Sequence, residues 1–180
     1  DANEVVAAWR VIMNLHHEPV ALMLTRQDVP TLDRTKYASA AGLAQGAYIL
    51  ADAAGGKPDV ILIGTGSEVS LCVAAYEQLK SQGTKARVVS MPSWELFDQQ
   101  EQAYRDQVLP PAVTARVAVE QASTFGWAHY VGPTGGMTAF GASAPLKVLQ
   151  KEFGFTKERI VEAARQQLAL ITHDGSLRNR

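Results

Sequence analysis

The sequence predicts an α/β fold: a mixed, mostly parallel sheet with one antiparallel edge strand, flanked by helices. Two observations predict it. Short apolar runs alternate with segments whose apolar residues recur at helical spacing, the order produced by parallel strands joined through crossover helices. The first two runs of the main body, "GAYIL" (46–50) and "DVILIG" (59–64), are separated instead by Ala53-Ala54-Gly55-Gly56-Lys57-Pro58. Those glycines and that proline suit a reversal of direction and make the first run an antiparallel edge strand. The 180 residues fit one domain with some excess at an end, and a hydrophobic fraction of 47% suffices for a sizeable core.

The excess lies at the start. Val5, Ala8, Trp9, Ile12 and Met13 recur at helical spacing, and Asp1 or Asn3 can cap the helix they form. After Pro19, "VALMLT" (20–25) is apolar on both pleat faces, as a buried parallel strand would be. One helix and one strand cannot enclose a core. The polar stretch 27–36, with Pro30, Asp33 and Arg34, reads as a linker, so residues 1–33 are expected to be the tail of a preceding domain and 34–180 the main domain.

From there the elements follow in order. Strands are expected at 46–50 and 59–64, a helix over 67–82, and a strand at "ARVVSM" (86–91). A broken helical region over 95–108, a strand at "ARVAVE" (115–120) and a last strand at "MTAF" (137–140) come next. Helices over 145–152 and 157–171 close the chain, the second with Ile160, Ala164, Leu168 and Ile171 on one face. No internal repeat or low-complexity tract interrupts the pattern.

Charge and composition exclude some functions. A formal charge of -1 creates no field to hold nucleic acid or an anionic membrane, and no apolar run approaches a bilayer span. The single cysteine, Cys72, sits among apolar residues and fits a buried hydrophobe in a reducing compartment, which points to the cytoplasm. The first residues carry neither an initiator Met nor a signal-peptide pattern.

Three motifs invite a chemical reading. Gly64-Thr65-Gly66 follows a strand and opens a helix, yet a dinucleotide fingerprint needs a third glycine where Val69 stands and an acid near the end of the next strand, where Ser90 and Met91 stand. An NTPase phosphate loop needs Gly-Lys-Ser or Gly-Lys-Thr where the chain has Val69-Ser70. What remains is a tight turn, with Gly66 a candidate for positive φ, and a capping box in which Thr65 accepts from the Glu68 amide. The alternative is an independent anion- or nucleotide-binding module using this helix N-terminus.

The second motif, Gly141-x-Ser143, resembles a nucleophile elbow with His129 or His173 as base, but Pro145 occupies the elbow's final glycine and Ser143 serves better as an N-cap. The third, His16-His17, places two imidazoles side by side on a helix, where they diverge by about 100 degrees and share no metal. No His, Cys or carboxylate cluster has metal-ligand spacing, so no stand-alone active site is visible.

"PVALMLTRQDVP", "GTGSEVSLCVAAYEQL", "KARVVSMPSWELFDQQ", "YRDQVLPPAVTARVAVEQ" and "GMTAFGASAP" with "LQKEFGFT" together resemble, in family order, the C-terminal part of bacterial transketolases. The resemblance implies that 1–33 are the last helix and strand of the pyrimidine-binding domain with the start of the linker, and 34–180 the C-terminal domain. It implies a parent enzyme that uses thiamin diphosphate and a divalent cation, Mg or Ca, to move a two-carbon ketol unit between ketose and aldose phosphates of the pentose phosphate pathway and Calvin cycle. It also implies a homodimer in which cofactor, metal and catalytic residues lie in segments before residue 1, so that this chain alone is structural and dimer-supporting.

One family position falls here. Arg26, in "LTRQ" where the family usually has Leu-Ser-Arg-Gln, corresponds to the arginine that grips the substrate phosphate, a task for which a guanidinium fork is suited. On the residues alone, a surface ion pair with Asp28 is the preferred reading, and the resemblance reverses that preference. The connection over 123–136 is shorter than the family's, and its aromatics Phe125, Trp127 and Tyr130 are expected to make packing or dimer contacts.

Overall fold

The computed structural model describes residues 1–123, 125–131 and 146–177. The expected strand at 137–140 and the Gly141-x-Ser143 turn with Pro145 lie outside the described residues.

Among the described residues four strands form one sheet, β1 (Tyr48–Ala51), β2 (Val60–Gly64), β3 (Ala86–Ser90) and β4 (Arg116–Val119), in the order β1-β3-β2-β4. Pairings β2 with β3 and β2 with β4 are parallel, and β1 runs antiparallel to β3. The helices are α1 (Ala2–Ile12), α2 (Glu68–Ser81), α3 (Trp94–Asp98), α4 (Gln102–Val108), α5 (Ala128–Val131), α6 (Leu146–Glu152) and α7 (Lys157–Leu177). This is the expected fold class, with boundaries within a few residues of those read from periodicity, except that α7 runs past 171 and Ile171 is exposed.

The centre of the sheet explains the unbroken apolar run at its start. Side chains alternate across a strand. Val60 and Leu62 therefore face α2 and α7, packing with Cys72, Leu79, Ile160 and Ala164. Ile61 and Ile63 point the other way, toward Phe97, Val108, Trp127 and Tyr130. With both faces covered, every residue of β2 is buried, and fully burying each such side chain contributes about 1.5–3 kcal/mol.

Strand β1 is the antiparallel edge, but its partner is β3 and not the β2 strand that follows it. A buried arginine accounts for the bypass. Arg87, in β3 and 3% exposed, donates from Nε and Nη2 to both oxygens of Asp52, at 2.8 Å each. Its Nη1 donates to the Gln107 and Val108 carbonyls, and Nη2 also to that of Gly56. Asp52 follows β1 directly, so the bidentate pair holds β1 against β3, while Gly55 and Gly56, at φ of 74° and 67°, carry the chain around to β2.

The opening segment departs from expectation. Helix α1 forms with Asp1 as cap: the Glu4 amide donates to Asp1 Oδ1 at 3.1 Å, and the Glu4 side chain completes a capping box. It ends at Ile12, where Asn14 Nδ2 reaches back to the Arg10 carbonyl, so His16 and His17 lie beyond the helix in a bend. Residues 20–25 form no strand. A strand exists only through a neighbour's ladder, and among the described residues none pairs with this one, leaving Met23 88% and Leu24 63% exposed. Among the described residues no helix is long and apolar enough to cross a membrane.

Candidate functional site

Open parallel sheets bind ligands at the carboxyl ends of their strands, here the loops at Thr65, Met91 and Glu120. The turn after β2 is built for packing. A Cβ on Gly64 would lie 2.9 Å from Cys72 Sγ and 3.1 Å from the Val69 nitrogen, so this first glycine lets helix and strand approach. Gly66 takes φ +55°, as its place in the turn suggested. Cys72 is fully buried, and burial together with the charge of Glu68 pushes its thiol far above the usual range, leaving it unreactive.

The expected capping box at α2 is not formed. Thr65 Oγ1 donates to the Met91 carbonyl at 3.0 Å, joining the loops that follow β2 and β3. The carboxylate of Glu68 turns away from Thr65 and accepts from Ser67 Oγ and from Gln121 Nε2, beyond β4. The competing partner across the crevice outweighs the local one. Burial raises the Glu68 carboxyl above the ordinary glutamate value, partly offset by its two donors. A phosphate approaching this helix N-terminus would meet a buried carboxylate with Glu120 beside it, so the arrangement disfavours an anion.

A second carboxylate stands at the end of β3. Glu4 of α1, 8% exposed, accepts at Oε1 from Ser90 Oγ at 2.6 Å and from the Tyr48 hydroxyl at 2.7 Å. Burial and then the Glu4 charge hold the Tyr48 hydroxyl far above its ordinary pKa, which keeps it a donor. Glu4, Tyr48, Arg87 and Asp52 were not singled out from sequence. The Asp1-x-x-Glu4 spacing does signal a capping box, but nothing local signals partners so far along the chain.

Arg26 sits in the bend after 20–25, exposed, with Thr25 Oγ1 donating to the Gln27 carbonyl at 2.9 Å beside it. The Asp28 ion pair is not formed: among the described residues Arg26 has neither ion pair nor hydrogen bond. Of the three aromatics, Trp127 and Tyr130 are core residues. Trp127 meets Trp94 edge to face at 5.0 Å, Tyr130 donates to Asp98 Oδ1 at 3.0 Å, and Phe125 is 88% exposed. His129 lies against the Tyr130 ring, and among the described residues no group of three or more His, Cys, Asp or Glu is placed to hold a metal.

Residues 46–156, which hold the four described strands, match the model of the transketolase-like C-terminal domain. The chain belongs to the transketolase C-terminal domain family. Transketolase 1 of Escherichia coli K12 is 50% identical over 171 residues, covering 93% of this chain and 26% of that protein. Among solved structures, the Leishmania mexicana transketolase superposes with a TM-score of 0.86 at 40% identity, over 94% of this chain and 24% of that one. A Pichia stipitis transketolase solved with sedoheptulose 7-phosphate gives 0.86 at 39% identity, over 96% and 25%. This transketolase-like chain thus spans about a quarter of the length of the curated relatives it matches.

Proposed function

We propose that this chain acts as the C-terminal part of a thiamin-diphosphate-dependent transketolase transferring a two-carbon ketol unit between ketose and aldose phosphates, with Arg26 gripping the substrate phosphate. The observation that carries the reading is an arginine with no hydrogen bond or ion pair among the described residues, in a chain otherwise matched along its length to transketolases. In this reading residues 1–33 close the pyrimidine-binding domain and 34–180 form the C-terminal domain of a cytoplasmic homodimer. The carboxylates near the strand ends are engaged by Ser67, Gln121, Ser90 and Tyr48, and the described residues offer no fit to the divalent cation or the diphosphate it accompanies. In this reading the remaining transketolase domains hold cofactor and cation, and this chain is structural and dimer-supporting.

Two measurements test this. The 180-residue chain supplied with thiamin diphosphate and Mg²⁺ is expected to show no ketol transfer, and turnover by homogeneous chain would overturn the assignment. In the full-length enzyme, Arg26→Ala is expected to weaken phosphorylated substrates by about 1.5–3 kcal/mol while sparing unphosphorylated analogues. Arg26→Lys should recover only part, since a point charge lacks the fork.

A further inference from the structure

A closed ring of polar bonds joins the segment read as the end of a preceding domain to the sheet domain. Asp1, the cap of α1, accepts at Oδ1 from the Glu4 amide at 3.1 Å and from Arg34 Nη2 at 3.0 Å. Arg34 Nη1 donates to the Tyr48 hydroxyl at 3.1 Å, and that hydroxyl donates to Glu4 Oε1 at 2.7 Å, which closes the ring. Asp1 and Glu4 stand on one side of the boundary at residue 33, Arg34 and Tyr48 on the other, so the ring crosses it at both Asp1–Arg34 and Tyr48–Glu4. Ser90 Oγ adds a further crossing, donating to the same Glu4 oxygen at 2.6 Å. Tyr48 and Ser90 are register partners between β1 and β3, so one carboxylate of α1 holds both strands.

The bonding suits a lock on orientation rather than a source of stability. Helix α1 packs on the 3-10 turn Ala40–Gln45, with Glu4 and Ala8 its buried residues. Apolar packing is non-directional, whereas a hydrogen bond weakens steeply as its angle falls, so the ring fixes how α1 sits on the sheet. Buried ion pairs replaced by well-packed apolar groups often leave a protein equally stable or more so, and their best-attested use is to fix register. We propose that Asp1, Glu4, Arg34, Tyr48 and Ser90 form an interdomain latch that sets the orientation of the C-terminal domain on the domain before it. This rests on the division at residue 33 proposed above.

Arg34 gives the latch a direct readout. Trypsin takes an arginine side chain into its own pocket, so cleavage after Arg34 requires the ring to open, and its rate follows the open population when reclosing is fast. In the full-length enzyme, Tyr48→Phe and Ser90→Ala each take from Glu4 one hydrogen bond to a charged group. Each is expected to speed cleavage after Arg34 about 10- to 100-fold. Amide exchange in α1 and β2 should stay unchanged, because the junction opens while both sides remain folded. On a Glu4→Ala background, Ser90→Ala should add nothing further, its partner being already gone. If Tyr48→Phe does not fold, Ser90→Ala carries the comparison.

Unchanged cleavage in either folded variant, or a full additional effect of Ser90→Ala on Glu4→Ala, would overturn the latch and leave the division at residue 33 standing. Amides of α1 and β2 that quicken together with cleavage would show one folding unit, which overturns the division and the latch with it.

Discussion

Arg87 and Arg26 carry the same guanidinium in opposite settings. Arg87 lies inside the sheet with every nitrogen bonded, to the Asp52 carboxylate and to three backbone carbonyls, and it fastens the end of β1 against β3. Arg26 lies on an excursion without regular structure and spends none of its donors on the described residues. A cation that the fold has consumed is architecture. One without a hydrogen bond or ion pair among the described residues has donors to spare, and the contrast separates the two regions more sharply than burial alone does.

The largest test of that contrast falls on Asp52. Asp52→Ala strands a buried guanidinium and is expected to cost about 3 kcal/mol, the low end for a broken buried pair because the Asp52 side chain is 31% exposed. Denaturant melts will show it, and a loss below about 1 kcal/mol would mean that the pair is not what ties β1 to β3.

Gly64→Ala comes next. The added methyl would press on Cys72 and the start of α2, so a loss of about 1–3 kcal/mol is expected without any change in anion affinity. Saturable phosphate or ADP binding, measured by calorimetry and abolished by this substitution, would restore the phosphate-cradle reading of the turn.

A subtler test is the pH dependence from Glu68. Its carboxyl is raised, so between the ordinary glutamate pKa and the folded value the native state holds more protons than the unfolded chain. Stability contributed there falls as pH rises through that window, and Glu68→Gln should flatten the slope. Arg26→Ala closes the series: its melt should coincide with that of the unaltered chain, because no hydrogen bond or ion pair among the described residues is lost.

How much of this was legible follows from the range of each interaction. Strands β2, β3 and β4 and helix α2 announce themselves because both faces of the sheet are covered and the period of apolar residues changes from strand to helix. The partner of β1 is not legible: sequence neighbourhood argues for a hairpin with β2, and the deciding bond joins residues 35 apart. The stretch 20–25 has the composition of a buried strand, but composition cannot supply the neighbouring ladder a strand requires. Thr65 and Glu68 sit at capping-box spacing, yet Met91 and Gln121 claim them from distant loops. The phosphate role proposed for Arg26 rests on family resemblance, since an exposed arginine without a hydrogen bond or ion pair among the described residues carries no local mark.

The bypass of β1 also has a consequence for the order in which the molecule is made. Residues 48–51 leave the ribosome before the strand that receives them, and the gap to residues 86–90 lasts on the order of seconds at ordinary elongation rates. During that interval an apolar strand waits with its hydrogen-bonding edge open while β2 and α2 emerge behind it. The nascent chain thus cannot zip up strand by strand in the order of synthesis. Strand β1 is among the later strands of this sheet to be seated, and Arg87, arriving with β3, brings the group that seats it.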